Sequence, residues 1–598
     1  MLSAQEGTRF LVKSGATIAG LLLLALPAAR AQYPASSQVN KKDGITILLE
    51  DYASVPLSSP VAGTYPPPIN RHGQIGRVNS LRSEPANAPK SGSRFFVIDA
   101  SATLYLLDKN SKTFTPYLNF AEIFPKFDSA RGNAAGIVSL AFDPEYAKNG
   151  KFYTVHTEDP AKPGSALPSN AHLPALDLDG YTTTPSLNPP AGPACCESVL
   201  VEWTDKNIGN ATFEGAAREI LRTGTTFTRH QMDDLIFDPL ARPGQPDYRN
   251  LYISLGDGGG GETPGETHPF PQLLNAVQGK ILRITPDVHL RPNDLLGANG
   301  RYRIPSTGPD PNPFVSVSGA RPEIFAYGLR NPHRITWDAP TNTFLANDIG
   351  LHSWEEINIV TKGSNFGYAE REGGEQLFVG GPNDGKTGSQ ITPAVSFPDQ
   401  DLLTVAGIDK PVAPVYPVAV YTHNEGDSLG SGFVYRGKSL PQLDGKYVFN
   451  DMTTGRLFYA DLREMILTHR ERNKTATVRE LTILYKSPYD NQAQPVERRM
   501  FDIVADAYAH KEGIGHPDGV DSEQGVLPGW AASTGGWRGK TFSPGKPDPY
   551  GVVYGGGRAD VRLALGGDGE LYVLSKSDGM IRKVTAPASA ASKTVAGN

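Results

Sequence analysis

Along this chain, apolar and polar residues alternate in short runs that break at Asp, Pro or Gly and then resume as an aromatic-rich stretch. Four copies are clear: 140–144 (LAFDP) then 150–156 (GKFYTVH); 235–239 (LIFDP) then 250–255 (NLYISL); 335–338 (ITWD) then 343–348 (TFLAND); 563–569 (LALGGDG) then 570–575 (ELYVLS). Two weaker copies are 95–108 (FFVIDASATLYLLD) and 432–460, which contains GFVYRG and GKYVFND. Period-two alternation places apolar side chains on one face of a strand, and the break marks a hairpin turn. Six divergent copies with long insertions predict radial repetition: an all-β, six-bladed β-propeller. A β-sandwich rarely needs so long a chain. The run 45–49 (ITILL) predicts a strand that closes the last blade. Helical periodicity is scarce, and its best candidate is 459–472 (YADLREMILTHRER). Insertions near 158–196, 370–415 and 486–550 are rich in Gly and Pro, and are either binding rim or decoration.

The N-terminus reads differently. Arg9 and Lys13 precede an apolar run at 16–26 (ATIAGLLLLAL), followed by Pro27 and the Ala29-Arg30-Ala31 triplet. That is the pattern of a secretory signal peptide, residues 1–31, cleaved after Ala31. The run is shorter than the ~20 apolar residues of a membrane span. Residues 32–585 are then one exported propeller domain, periplasmic or secreted, with no membrane span, and 586–598 form a flexible tail. The 598-residue chain carries a net charge of −6, which argues against a nucleic-acid partner. Its two cysteines, Cys195 and Cys196, are adjacent. This excludes c-type haem, zinc fingers and Cys-ligated iron–sulfur clusters. In an oxidising compartment they are either a vicinal disulfide or two thiols.

Several polar constellations stand out. His230, in 229–237 (RHQMDDLIF), precedes a strand that would face the central channel. Histidine accepts a proton near neutral pH, although position alone is equally that of a channel-lining residue. Asp257, in the Gly-rich run 256–262 (GDGGGGE), ends a neighbouring strand and is placed to orient an imidazole. The run is not a P-loop, because Gly279-Lys280 is followed by Ile281. Arg330, in 328–333 (GLRNPH), offers a planar donor fork. The segment 347–358 (NDIGLHSWEEIN) is oxygen-rich, as calcium loops are, but lacks EF-hand spacing. A G-x-S-x-G match at 426–430 (GDSLG) is followed by a strand pattern rather than a helix, which argues against a nucleophile elbow.

Together these stretches resemble the soluble quinoprotein glucose dehydrogenase/sorbosone dehydrogenase family, the aldose sugar dehydrogenases that use pyrroloquinoline quinone (PQQ). The resemblance is carried by RHQMDDLIFDP (229–239), LYISLGDGGGG (251–261), QGKILRITPD (278–287), EIFAYGLRNPHRITWD (323–338), NDIGLHSWEEINIVTKGSNFGY (347–368), GFVYRGKSLPQLDGKYVFND (432–451) and DVRLALGGDGELYVLSKSDG (560–579), in family order. It implies a six-bladed propeller that oxidises an aldose at its anomeric carbon. His230 would be the general base while hydride passes to PQQ, with Asp257 behind it. Arg330 and Asn331 would contact the quinone. Gly350 and Leu351 would offer carbonyls to a Ca²⁺ that bridges to PQQ, Leu351 standing where some members have Pro. Glu356 and the carbonyl of Phe366 resemble a second calcium site. The substrate is a small sugar, and the electron acceptor a separate quinone or redox carrier.

The chain also departs from the family. Where a Gln or Glu is frequent before Gly136, Ala134 stands beside Asn133. The lysine that grips a PQQ carboxylate is missing at 451–456 (DMTTGR), leaving Arg456 as the nearest cation. Of the last blade's arginine pair, Arg558 and Arg562 are the candidates. Lost cations favour an alternative, a non-catalytic carbohydrate- or protein-binding propeller. A calcium-dependent propeller lactonase is the third reading.

Overall fold

The computed structural model describes residues 44–59, 75–130, 134–190, 194–259, 270–351, 354–376, 402–423, 425–472, 474–512 and 559–587, with 39, 61 and 192 as isolated positions. The segment 1–31 expected to be a signal peptide, Asn133, Arg558 and most of the expected tail at 586–598 lie outside them. Six four-stranded antiparallel blades form a ring, a six-bladed β-propeller. Innermost strands are Val78–Ser83, Ile137–Phe142, Met232–Phe237, Pro332–Asp338, Leu429–Val434 and Val561–Leu565, in blades one to six. Each packs beside the next, and the sixth beside the first.

Five of the predicted copies contain the first two strands of their blades. In three of them an Asp at the end of the first strand makes the turn: Asp143 Oδ1 accepts the Glu145 N–H at 2.8 Å, Asp238 that of Leu240 at 2.7 Å, and Asp338 Oδ2 that of Thr341 at 3.3 Å. Short polar side chains bonding their own turn are what such positions require. The copy at 95–108 differs, forming the second and third strands of the first blade, Arg94–Asp99 and Thr103–Asp108. The innermost strand of that blade, Val78–Ser83, has no alternation because it lines the channel with buried polar groups, Asn79 and Ser80 among them.

Apolar side chains fill the seams between blades rather than one central core. Phe96, Phe152 and Trp203 pack between the first and second blades, Tyr153, Leu235 and Leu251 between the second and third, and Ile281, Ile335 and Phe344 between the third and fourth. Three further clusters fill the remaining seams. Wedge-shaped packing of this kind holds each blade only through its neighbours, so the ring must close.

Closure comes from Thr46–Ser54. This strand pairs antiparallel with Met580–Thr585 and becomes the fourth strand of the sixth blade. On its outer side Thr482–Tyr485 adds in parallel. The helix Leu462–Glu471 falls inside the predicted segment and is capped by the Asp461 carboxylate. A second helix, Met500–Ala509, lies in the insertion at 486–550 and buries Met500, Phe501 and Val504 against the sixth blade. In the 158–196 insertion, Leu176–Asp177 and Ser186–Leu187 extend the outer edge of the second blade, covering an otherwise open strand. Cys195 and Cys196 stand as two thiols. Among the described residues no helix is long and apolar enough to cross a membrane.

Ile47, fully buried, lies in the closing strand among side chains of the sixth blade. Ile47→Ala is expected to cost about 2–4 kcal/mol, measured as a lowered urea midpoint with an unchanged slope.

Candidate active site

The site forms at one end of the ring, where the innermost strands begin. Val78, Ile137, Met232, Pro332, Leu429 and Val561 open these strands, so the residues just before them make a rim. The third blade places His230 and Gln231 there, and the fourth places Arg330 and Asn331. The base and the arginine expected from the sequence therefore occupy equivalent positions on adjacent blades.

In the first, fourth and fifth blades a carboxylate at the end of the second strand fixes the rim segment. Asp348 accepts the backbone N–H of Arg330 at 3.1 Å and of Asn331 at 2.6 Å. Asp99 receives that of Arg77 at 2.8 Å, and Asp451 those of Asp427 and Ser428 at 2.7 and 2.8 Å. In the third blade the acid lies two residues later and takes a side chain instead. His230 Nδ1 lies 2.7 Å from Asp257 Oδ1. The same oxygen accepts the Gly259 N–H at 2.8 Å, and the Asp257 N–H donates to the Arg330 carbonyl at 2.7 Å. A carboxylate at Nδ1 holds the ring proton there and leaves Nε2 as the basic nitrogen.

Local backbone makes this fit possible. His230 adopts φ of 55°, in the left-handed region that side chains other than glycine seldom enter. Gly256 faces it, and a Cβ there would lie 2.6 Å from His230 Cβ and 2.8 Å from Asn331 Oδ1. Glycine at 256 lets the imidazole and the amide approach one another. Asn331 Oδ1 is buried without a hydrogen-bond partner among the described residues.

Arg330 Nη1 donates to the carbonyls of Ile349 at 3.0 Å and Gly350 at 2.6 Å. Around this cation carboxylates crowd. Burial pushes Asp348 up to about 7 despite the two N–H groups it accepts. Glu356 is pushed well above the usual carboxylate range by burial and then by Asp348. Its carboxylate accepts the Gly373 N–H and, at 3.3 Å, the Asn358 amide. Leu351 and Trp354 both donate their N–H groups to Glu372 at 3.0 Å. Phe366 runs alongside the arginine's loop, its N–H bonded to the Tyr327 carbonyl at 2.9 Å. Gly350, Leu351 and Glu356 are thus brought to Arg330. Among the described residues no set of three His, Cys, Asp or Glu side chains is arranged to hold a metal, so ligation here would lean on backbone carbonyls.

Other expected residues stand elsewhere. Arg456 is taken up by Glu480 at 2.6 and 2.8 Å and Glu425 at 2.7 Å, over the Phe458 ring. Arg562 lies on the innermost strand of the sixth blade, 2.8 Å from Asp560. Ala134 brings no polar side chain to the rim. Two residues that support the site went unnoticed in the sequence. Glu372 ties down the loop after Gly350. Lys280, fully buried, donates to the carbonyls of Phe270, Pro271 and Gln278 at 2.8–3.0 Å, and Pro271 in turn receives the Gly328 N–H at 3.1 Å, below the arginine's loop. Its only signal is a charge opening the buried strand Lys280–Ile284, which also carries Arg283.

Residues 240–483 match the family model described as Glucose / Sorbosone dehydrogenase. The chain carries the glucose/sorbosone dehydrogenase domain. It is 28% identical to the HIPL1 protein of Arabidopsis thaliana over 334 residues, 53% of this chain and 42% of that protein. With the aldose sugar dehydrogenase YliI of Escherichia coli it shares 33% over 118 residues, 20% of this chain and 25% of that one. With the human Hedgehog-interacting protein it shares 26% over 379 residues, 62% of this chain and 42% of that one. The chain spans less than half the length of each of these curated relatives. The glucose/sorbosone dehydrogenase segment contains Asp257, Arg330, Asn331 and Glu356, while His230 lies just before it.

The His230–Asp257 bond is testable by itself. A short Nδ1–H bond to a buried carboxylate gives a far-downfield proton NMR signal. It is expected in the wild type, absent in Asp257→Ala, and shifted or lost in Gly256→Ala, whose added methyl displaces the imidazole.

Proposed function

We propose that the protein is an exported, PQQ- and Ca²⁺-dependent sugar dehydrogenase that oxidises an aldose at the anomeric carbon. The observation that carries this reading is the His230–Asp257 pair on the same rim as Arg330 and Asn331. His230 Nε2 takes the proton of the anomeric hydroxyl, and Asp257 stabilises the imidazolium that results. PQQ, when bound, supplies the two-electron oxidant. Arg330 and Asn331 would hold it, and a cation there suits charge that develops on a quinone oxygen. The cofactor fits what the rim offers: Asn331 carries a buried amide oxygen with no partner among the described residues, beside the His230 imidazole that Gly256 lets approach. Ca²⁺ suits the neighbouring donors, since the carboxylates of Asp348 and Glu356 are buried close together and Asp348 raises the proton affinity of Glu356, a cost that a divalent cation would relieve. The carbonyls of Gly350 and Leu351 would hold it, with Glu356 and the Phe366 carbonyl at a second position. Arg456 and Arg562 were the expected cofactor cations, and Arg562 is the one that stands on an innermost strand. Electrons would leave to an external quinone or redox carrier.

A second reading, a non-catalytic binding propeller, draws support from the Hedgehog-interacting protein, which matches more of this chain than the dehydrogenase YliI does. The two readings separate cleanly. Purified protein given PQQ and Ca²⁺ is expected to reduce a dye with a panel of aldoses. His230→Ala should lower kcat about 10²–10⁴-fold while PQQ still binds. No PQQ binding and no turnover in the wild type would leave the binding module standing, and lactone hydrolysis without PQQ would make the protein a lactonase.

A further inference from the structure

We propose that Lys576 and Arg77, together with Arg562, form the carboxylate-binding end of the cofactor site, at the seam between the sixth and first blades. This takes the place of the family lysine missing from the fifth blade, and it rests on the PQQ reading above.

The symmetry of the ring points to this seam. His230 and Arg330 flank the seam between the third and fourth blades. In a six-membered ring, the seam directly across the axis is the one between the sixth and first. Arg77 opens the first blade where Gln231 and Asn331 open theirs. Lys576 follows the second strand of the sixth blade, Leu571–Ser575, where Gly256 and Ile349 follow theirs. Arg562 is the second residue of its innermost strand, the place that Asp233 and His333 hold. All three cations are buried, each 3% exposed.

Beneath them the channel is closed by side chains that cross it. Arg334 of the fourth blade reaches Asn79 of the first at 3.4 Å, while its Nη1 donates to the Asp233 carbonyl at 3.2 Å. Arg82 of the first blade pairs with Asp234 of the third at 3.1 Å. A flat ligand entering at the rim therefore stops above this floor, with His230 and Arg330 on one side and Arg77, Lys576 and Arg562 on the other.

Acids stand among these cations, with Asp99 and Asp128 acting on Arg77 and Asp560 on all three. Arg562 pairs with Asp560 at 2.8 Å, and the Lys576 N–H donates to the Asp560 carbonyl at 3.1 Å. Arg77 turns to the carbonyls of Ser129 and Ala135, and its Nε is buried without a partner among the described residues. Lys576 is held well below the usual lysine range by burial and then by Arg562, with Arg77 and Arg334 adding to the effect and Asp560 opposing it. His333 is lowered by burial and by Arg334, Arg562 and Lys576. Buried cations are costly unless an anion accompanies them, and a tricarboxylate brings one. The fifth blade brings none of this to its own rim positions, which are Asp427 and Ser428, and Arg456 is engaged by Glu425 and Glu480.

Titration of PQQ into the full-length, Ca²⁺-supplied protein, followed by fluorescence quenching without sugar, tests the assignment. Lys576→Met and Arg77→Met are each expected to raise Kd 10–100-fold, and Lys576→Arg to stay within about threefold of the wild type. Without PQQ, Lys576→Met is expected to melt at or above the wild-type temperature, since it removes a crowded charge. Wild-type Kd values in both Met variants would overturn this site and leave the dehydrogenase reading intact. Weakened binding with a lowered apo melting temperature, unrestored by Lys576→Arg, would assign Lys576 to structure and also overturn it. Absence of PQQ binding in the wild type would remove both proposals.

Discussion

The contact on which the site depends is a carboxylate at the end of a second strand gripping the backbone that enters the innermost strand beside it. Asp99, Asp348 and Asp451 each accept N–H groups from that entry segment. Loop backbone that enters a buried channel cannot leave its donors unpaired, so in these three blades one acid both satisfies the donors and sets where the rim residues stand. In the second blade the Thr157 hydroxyl accepts the Gly136 N–H instead, and the third blade differs again. Asp257 comes two residues later and bonds an imidazole as well as the Gly259 N–H. The residue that orients the candidate base also holds the Arg330 carbonyl through its own N–H, joining two blades at the site.

Burial explains the other features of this end of the ring. Carboxylates cluster around Arg330, and burial raises both Asp348 and Glu356. Across the axis cations cluster, and burial lowers Lys576, Arg77 and His333. Apolar packing does not compete for this space, because the propeller puts its hydrophobic clusters in the seams between blades and leaves the axis to polar side chains.

Much of the fold was legible because hairpin turns announce themselves locally. The Asp of LAFDP, LIFDP and ITWD ends a strand and bonds the turn that follows, and an apolar run such as ITILL has no other stable place than a sheet. The innermost strand Val78–Ser83 was not legible, since its buried Asn79 and Ser80 break the alternation that a one-sided strand would show. Nor was the helix Met500–Ala509, whose apolar residues are too many for an amphipathic stripe because its surroundings bury most of its faces. In the site, His230, Asp257 and Arg330 stood out by residue type and motif. Lys280 and Glu372 did not, because a lysine that binds carbonyls and a glutamate that caps a loop look in sequence like any surface charge.

By itself the sequence determined the strand-and-turn repeat, the number of blades and the strand that closes the ring, because each follows from periodicity and turn chemistry within a few residues. It also marked the polar residues that interrupt the repeat. Only the tertiary structure decided which of them meet. His230 meets Asp257 through a left-handed backbone and a glycine that lies opposite, Arg456 is drawn off by Glu425 and Glu480, and Arg334 of the fourth blade reaches Asn79 of the first. These residues sit on different strands or different blades, and which of them meet is set by how the strands pair and the blades pack, not by the pattern around any one of them.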